Sequence, residues 1–395
     1  MSASETAVAD CETLSVGQIA GLRRKVSSMH RVFVFVFVFV GLAAVVSCSA
    51  HADVLIGVSA AMTGRLAWIG EQGQRGAEMA VADLNATGGV LGQQVRLITV
   101  DDFCDPEQAV VAAEKLVADG AVFVVGHYCS GASIPASKVY EAAGVLQISP
   151  GSTNPLLTEQ GRDNVFRVIG RDDAQGVVAG SYLADHWGNK KIAILHDGTT
   201  YGRGLADETR KQLNKRGVTE AIYQSYTPAK NDYSAEITAL KAANVAVAYV
   251  GGYHAEVALM VRGARDRGNP IQFISGDALA TEEFALIAGP AAEGTLFTFS
   301  ADPRRNPTAA PVVERFRADN FEPAGYTLLS YGAVQAWAQA VKQAGSQDLR
   351  DVIRSLRSHQ FDTVLGRIDF DEKGDLTVQS WVWYVWKDGE YVPLK

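Results

Sequence analysis

The chain carries VRLITVDDFCDP at residues 95–106, where an apolar strand passes directly into the start of a helix. Val95–Val100 is apolar enough to be a buried strand. Asp105-Pro106 then combines a helix N-cap residue with a proline at the first helical position. An apolar stripe with helical spacing follows at Val110, Ala113, Leu116 and Val117. A strand followed by a helix in this way is the repeating unit of a parallel α/β sheet.

The same alternation extends in both directions from this stretch. In the first half, further strands are predicted at Val54–Ser59, Ala121–Val125, Val145–Ser149 and Asn164–Ile169, with helices at Glu71–Ala86 and Ser133–Ala143. In the second half, strands are predicted at Lys191–Leu195, Ala221–Tyr226, Val245–Val250, Gln272–Ser275 and Thr295–Phe299. Helices are predicted at Asp173–His186, Tyr201–Arg216, Tyr233–Ala243, Glu256–Arg267, Ala310–Asn320, Tyr326–Ala344 and Leu349–Ser358, before an antiparallel, turn-rich end. We therefore predict an α/β fold with two doubly wound parallel sheets and a cleft between two domains.

The N-terminal region has the features of an export signal. Arg31 precedes an apolar run over Val32–Val46, and Ala50-His51-Ala52 supplies small residues at a cleavage position. We expect cleavage after Ala52 and a periplasmic mature chain. The stretch Val45-Val46-Ser47-Cys48 also resembles a lipoprotein cleavage box, so lipid anchoring at Cys48 stays an alternative.

The composition bears on which partners the protein can bind and on whether its cysteines form a disulfide. The chain has 36 basic and 44 acidic residues and a net charge of −8, without a basic stripe, so nucleic acid is not an expected partner. Only Cys104 and Cys129 follow the predicted cleavage position. Two cysteines in an exported chain favour one disulfide, with two separate buried thiols as the alternative.

Two polar clusters follow neighbouring strands at the edge where parallel sheets bind ligands. Ser130 lies at a helix start, where free N–H groups and the helix dipole favour an anion. Ser149–Thr153 follows the next strand and offers hydroxyl and backbone groups. Together they suit a carboxylate, although ordinary caps and turns would explain either cluster alone.

Further candidate binding residues could contact the other parts of the same ligand, and most of them lie in the second half of the chain. Asp277 lies just past a predicted strand and would suit a ligand ammonium group, with a solvated loop acid or helix cap as the alternative. Aromatic residues at loop positions would form walls for an apolar side chain, or would simply pack locally. These aromatic residues are Trp68, Tyr201 and Tyr253.

Signatures of catalysis are missing from the sequence, which contains no G-x-S-x-G, G-x-x-x-x-G-K-[ST], H-E-x-x-H or C-x-x-C motif. His127 near Ser130 is better explained as a hydrogen-bonded loop histidine than as a catalytic base. The pairs His196-Asp197 and Tyr253-His254 lack third and fourth ligands at suitable spacing, so we expect no metal and no cofactor.

Several ordered segments resemble one known family over nearly all of Asp53–Val392. They are Gly76–Asn85, Asp101–Val110, Gly126–Ser130, Tyr249–His254 and Phe370–Leu376. The chain resembles the periplasmic Leu/Ile/Val-binding proteins of branched-chain amino-acid ABC transporters. That family has the type I periplasmic binding protein fold, with two Rossmann-like domains joined by a hinge.

The resemblance implies a role for each candidate residue. Ser130, Gly151 and Thr153 would hold the ligand carboxylate, and Asp277 would hold the ammonium group. Trp68, Tyr201 and Tyr253 would surround the side chain, and Cys104 and Cys129 would form the family's disulfide. Two departures bear on the ligand: the family acid is usually glutamate where Asp277 stands, and its best-known members carry tyrosine where Trp68 stands.

The resemblance also implies three chain crossings, which we place near Arg171, Ser300 and Leu376. One lobe would then contain residues 53–171 and 301–376, and the other residues 172–300 and 377–395, after a signal region at 1–52. The expected protein is a non-enzymatic monomer that passes a neutral, branched-chain or other aliphatic amino acid to ABC permease subunits. A binder of amides, aromatic acids or other amino acids, a sensor, and an enzyme that uses the same cleft are the alternatives.

Overall fold

The structure is a computed structural model that describes residues 53–395. The predicted signal segment, its cleavage position and Cys48 lie outside the described residues. Within residues 53–395, no helix is long and apolar enough to cross a membrane.

Strands and helices alternate through the first two thirds of the described chain. The strands are β1 (Val54–Ala60), β2 (Val95–Asp101), β3 (Phe123–Gly126), β4 (Leu146–Ser149), β5 (Val165–Arg167), β6 (Ile192–His196), β7 (Ile222–Ser225), β8 (Val247–Gly251), β9 (Gln272–Ser275), β10 (Leu296–Phe299), β11 (Phe361–Thr363), β12 (Gly366–Ile368), β13 (Val382–Lys387) and β14 (Glu390–Pro393). The α-helices are α1 (Ala67–Ala86), α2 (Pro106–Ala118), α3 (Ser130–Ala143), α4 (Asp172–Trp187), α5 (Thr200–Lys215), α6 (Ser234–Ala242), α7 (His254–Asp266), α8 (Glu282–Ala288), α9 (Ala310–Ala318), α10 (Thr327–Ala344) and α11 (Leu349–Ser358).

Two large sheets organise these elements. The first is five-stranded in the order β2-β1-β3-β4-β5, and all its pairings are parallel. The second is seven-stranded in the order β14-β13-β10-β9-β8-β6-β7. Its strands β6 to β10 pair in parallel, whereas β13 and β14 pair antiparallel at one edge. The predicted α/β class with two parallel sheets and an antiparallel end is confirmed.

Alternate residues of each parallel strand face opposite helical layers. In β3, Phe123 and Val125 belong to the core that contains α1 and α10, and the Phe123 ring stacks on Trp337 at a centroid distance of 5.0 Å. Val124, between them, packs with Leu116 of α2 and Tyr140 of α3. Because both faces are covered by helices, central strands such as β3 and β8 contain no charged or strongly polar residue.

The last part of the chain, from α9 onward, contacts both sheets. Helix α10 packs against α1 and against β3 and β4 of the first sheet. Strand β13 then pairs with β10 of the second sheet, with Leu296 opposite Val385. The chain therefore passes between the two sheets more than once.

Several element boundaries differ from the predicted ones. Helix α1 begins at Ala67 rather than Glu71, and α3 begins at Ser130 rather than Ser133, and in neither case does the N-cap side chain bond to the helix. Without a capping residue, the local sequence carries no clear start signal. The seven-residue helix α8 and the three-residue strand β11 were not predicted, because segments this short show little periodicity.

Candidate functional site

The candidate residues follow the carboxyl ends of strands in both sheets. Ser130 comes after β3, and Gly151 and Thr153 come after β4, in the first sheet. Tyr201, Tyr253 and Asp277 come after β6, β8 and β9 in the second sheet. If the five parallel strands of each sheet are numbered in chain order from 1 to 5, both sheets have the strand order 2-1-3-4-5. Sheets of this kind bind ligands at the carboxyl ends of their strands.

A cavity of about 10 Å³ lies where the two sets of loops meet. The residues that line it are Ile69, Tyr128, Cys129, Gly151, Tyr201, Tyr253, Asp277, Ala278 and Tyr326. The structure thus brings together four of the predicted ligand-binding residues: Gly151, Tyr201, Tyr253 and Asp277. A space of this size holds about one water molecule, so an amino acid would enter only if the two sides moved apart.

Ser130 and Thr153 lie behind the cavity wall and do not line it. Both are buried, and the Ser130 hydroxyl oxygen accepts a hydrogen bond of 3.2 Å from the backbone N–H of Asn154. The Thr153 hydroxyl lies close to the Asp172 carboxyl, where it acts to lower the pKa of that acid, although the geometry is not that of a standard hydrogen bond. Gly151 approaches Tyr128 so closely that a Cβ there would lie 3.0 Å from the Tyr128 ring, which favours glycine at this position.

A buried arginine supports the loop that carries Thr153. Nη1 of Arg167 donates hydrogen bonds to the carbonyl oxygens of Ser152 at 2.8 Å and of Asn154 at 3.0 Å. The guanidinium therefore holds the backbone on both sides of Thr153. Its charge is paired with the buried Asp375, whose Oδ1 lies 2.6 Å from Nε. The first N–H groups of α3 have no partner inside the helix, and a helix N-terminus favours an anion.

The opposite side is acidic. Asp277 is buried and accepts hydrogen bonds from the hydroxyl groups of Tyr201 at 2.9 Å and Tyr326 at 2.8 Å. Burial raises the pKa of the Asp277 carboxyl, and the hydrogen bonds from Tyr326 and Tyr201 oppose that rise. A cation in the cavity would remove the cost of ionising this group.

A second buried acid, Asp172, belongs to the same electrostatic cluster and was missed in the sequence. Burial raises the pKa of Asp172 well above its usual range, with the charge of Asp277 as the second cause. Neither Asp172 carboxylate oxygen has a hydrogen bond of standard geometry among the described residues. Asp172 begins α4, where an acid is ordinarily explained by the helix dipole, so the sequence does not distinguish it from its neighbour Asp173. Tyr326 was missed as well, because it precedes helix α10 instead of following a parallel strand.

The apolar wall differs in one residue from the prediction. The rings of Tyr201 and Tyr253 pack at a centroid distance of 5.2 Å, and both line the cavity. Trp68 is only partly buried and is not among the lining residues, whereas its neighbour Ile69 is buried and lines the cavity. Trp68 was treated as a loop residue, but α1 begins at Ala67. Successive residues of a helix point about 100° apart, so the inward position falls to Ile69.

The predicted disulfide is present. Cys104 and Cys129 are bonded, with their Cα atoms 5.5 Å apart. A second link joins the same two loops, because Nδ1 of the buried His127 lies 2.6 Å from Oδ2 of Asp102. Its Nε2 lies 2.9 Å from the Tyr140 hydroxyl. His127 is therefore a fully bonded structural histidine, in agreement with the reading that it is no catalytic base.

Comparison with known proteins assigns this architecture to a class. The family model described as "Periplasmic binding protein" matches residues 53–390. The chain belongs to the periplasmic binding protein family.

Named relatives narrow the class. A Leu/Ile/Val-binding protein homolog 1 from Brucella suis is 50% identical over 356 residues, which cover 89% of this chain and 96% of that protein. The leucine-binding protein LivK from Thermotoga maritima superposes with a TM-score of 0.80 at 28% identity, covering 87% of this chain and 98% of that one. LivJ from Streptococcus pneumoniae, solved with isoleucine, gives a TM-score of 0.78 at 27% identity, covering 87% and 100%. The family and these relatives are binding proteins, which confirms the expectation of a non-enzymatic protein.

Proposed function

We propose that this protein captures a neutral L-amino acid with a branched aliphatic side chain and delivers it to the permease subunits of an ABC transporter. The observation that carries the proposal is the arrangement around the cavity. A buried acid, Asp277, lies on one side. Gly151 and the N-terminus of α3, whose N-cap residue Cys129 lines the cavity, lie on the other. A zwitterion needs both signs of charge at fixed positions, and an apolar side chain needs walls such as Tyr201 and Tyr253.

Each end of the ligand has its own proposed partners. The carboxylate would be held by Ser130, Gly151 and Thr153, which follow β3 and β4 at the carboxyl edge of the first sheet. The ammonium group would be held by Asp277. The side chain would lie against Tyr201, Tyr253 and Ile69, with Trp68 flanking them. Relatives named for leucine, isoleucine and valine support the choice of side chain.

The cellular setting follows from the family and from the N-terminal sequence. Membership of the family implies an extracytoplasmic location. We propose that the signal segment ends at Ala52 and that the mature protein is a periplasmic monomer without nucleic-acid partners. The lobes would be residues 53–171 with 301–376 and residues 172–300 with 377–395, hinged near Arg171, Ser300 and Leu376. Hinge closure of this kind traps small ligands in two-domain binding proteins.

Thermal unfolding tests the function directly. The oxidised chain Asp53–Lys395 would be purified under denaturing conditions, refolded to remove bound ligand, and heated with each common amino acid and with amides and aromatic acids. A ligand at about 1,000 times its Kd adds about 4 kcal/mol to the free energy of unfolding, which raises Tm by several degrees. We expect such a shift for leucine, isoleucine and valine.

Three other results would change the conclusion. A shift with other amino acids alone would retain the binding role and reject the branched-chain specificity. A shift with amides or aromatic acids alone would reject the zwitterion site as well. No shift with any compound, in protein that refolds with native circular dichroism, would contradict the proposal.

A further inference from the structure

One arginine outside the cavity reaches from the first half of the fold to the second. Arg65 lies between β1 and α1, and its Nη1 is 3.1 Å from Oε1 of Glu256 near the start of α7. Its Nη2 donates a 2.9 Å hydrogen bond to Oδ1 of Asn231, and both terminal nitrogens lie 3.3 Å from the Lys230 carbonyl oxygen. We call these four residues the Arg65 latch.

The acid in the latch is held in place. The Glu256 side chain is only 8% exposed, and its Oε1 also accepts a 3.1 Å hydrogen bond from the Ala229 amide. Arg65 is 37% exposed, so solvent screens the pair on one side only. A guanidinium presents a planar fork of donors, which suits a carboxylate, an amide and a carbonyl oxygen at once.

The latch is distinctive in what it connects. Among the described residues, no other salt bridge joins the segment that carries β1 to β5 with the segment that carries β6 to β10. Arg65 is four residues before Ile69, and Glu256 is three residues after Tyr253, both of which line the cavity. The latch therefore ties together the two chain segments that would close over a ligand.

We propose that Arg65 is a positioning residue that holds the two lobes closed over a bound amino acid and so sets the lifetime of the complex. Arg65 does not line the cavity, and it would act on the ligand only through closure. The latch residues lie away from the three proposed crossings, which act as the hinge. If the lobes separated about that hinge, Arg65 would therefore move away from its partners. This inference rests on the proposed function for its ligand, leucine.

The expected effect is on dissociation. Only an open protein captures leucine, so the latch opposes capture as well as release, and Arg65→Ala should not lower the association rate. Loss of the latch would make opening easier. We expect Arg65→Ala to raise the leucine dissociation rate about three- to thirtyfold, a range that allows for the partial exposure of the arginine. Arg65→Lys retains the charge without the fork of donors, so it should fall between Arg65→Ala and the wild type.

The control variant is Arg354→Ala, which removes an exposed arginine whose partner, Asp351, is three residues away on the same helix, α11. Stopped-flow fluorescence would measure leucine association and dissociation for each variant. Glu256→Gln provides a second route to the same defect and should also raise the dissociation rate. Tm values of the ligand-free variants within about two degrees of the control would show that folding is intact.

A second measurement needs no ligand. Small-angle X-ray scattering of the ligand-free protein should give a larger radius of gyration for Arg65→Ala than for the wild type and Arg354→Ala. Dissociation rates for both Arg65→Ala and Glu256→Gln within twofold of the control would overturn the latch, and so would unchanged scattering. If the wild type binds no amino acid, the proposed function fails, and the scattering comparison alone then decides on the latch.

Discussion

The charged form of Asp277 is poorly solvated in the cavity when no cation is present. Two tyrosine hydroxyl groups donate to it, yet burial still raises its pKa, and Asp172 adds a second raised pKa nearby. A carboxyl with a raised native pKa favours folding at low pH, and that contribution is lost as the pH rises through the native value. A bound ammonium group reverses this balance, because it favours the ionised form. Leucine binding should therefore be linked to proton release.

At the residue scale we predict that Asp277→Asn weakens leucine binding about 100-fold at neutral pH, because the ammonium group would lose its buried charged partner. The wild type should lose affinity as the pH falls through the raised pKa of Asp277. Isothermal titration calorimetry between about pH 8 and pH 5 would measure both effects.

The control ligand for this prediction is 4-methylpentanoate, which is leucine without its amine. Its affinity should change little in Asp277→Asn, because it has no group for the acid to hold. The control variant is Asp351→Asn, an exposed acid on α11 that should leave leucine binding unchanged. Equal losses of affinity for leucine and 4-methylpentanoate would show that Asp277 is not the ammonium partner.

At the scale of elements, two links join the loops that follow β2 and β3. The disulfide closes a separation of 25 residues, and the Asp102–His127 pair bridges the same loops inside the protein. The His127 carbonyl oxygen also accepts a 2.6 Å hydrogen bond from the Ser149 hydroxyl, which extends the connection to the end of β4. The loop with Ser130 is thus supported from several directions.

We predict that the double substitution Cys104→Ala and Cys129→Ala lowers the free energy of unfolding by about 3 kcal/mol, because the unfolded chain regains the freedom that the disulfide removes. Leucine affinity should fall less than about fivefold, since the Asp102–His127 pair still aligns the loops. Urea unfolding and calorimetry would measure the two quantities. A large loss of leucine affinity with little loss of stability would contradict the idea that the disulfide mainly stabilises the fold. As a control, added reductant should not change the stability or affinity of the double variant.

At the scale of the whole molecule, a buried ion pair joins distant parts of the chain. Nε of Arg167, at the end of β5, lies 2.6 Å from Oδ1 of Asp375, and Arg171 donates to the other carboxylate oxygen at 2.7 Å. Arg167 and Asp375 are almost completely buried. Because Arg167 also supports the backbone around Thr153, the pair connects the proposed carboxylate site with two of the proposed crossings.

We predict that Asp375→Asn destabilises the fold by about 3–5 kcal/mol, because it leaves the buried Arg167 guanidinium without its charged partner. Urea unfolding would measure the loss. Asp362→Asn is the control, since Asp362 and its partner Arg367 are both exposed and such pairs contribute about 0–1 kcal/mol. A loss below about 1 kcal/mol for Asp375→Asn would mean that Arg167 finds compensation elsewhere.

Much of the fold was predictable because it depends on local patterns. Apolar runs such as Val95–Val100 marked buried strands, and Asp105-Pro106 marked the start of α2, where the Asp105 side chain accepts from the amides of Glu107 and Gln108. The disulfide was predictable from the number of cysteines. Helix starts without a capping residue, as at Ala67, were placed wrongly, so Trp68 was taken for a loop residue although it lies in α1.

By itself, the sequence determined the alternation of strands and helices, the two parallel sheets and the pairing of Cys104 with Cys129. These properties depend on periodicity, capping and composition, which are written in neighbouring residues. Only the tertiary structure decided that Asp172 shares the electrostatic field of Asp277 and that Arg65 meets Glu256, 191 positions away. Such contacts depend on the order of the strands and on how the loops of the two sheets meet, and no local pattern of residues specifies either.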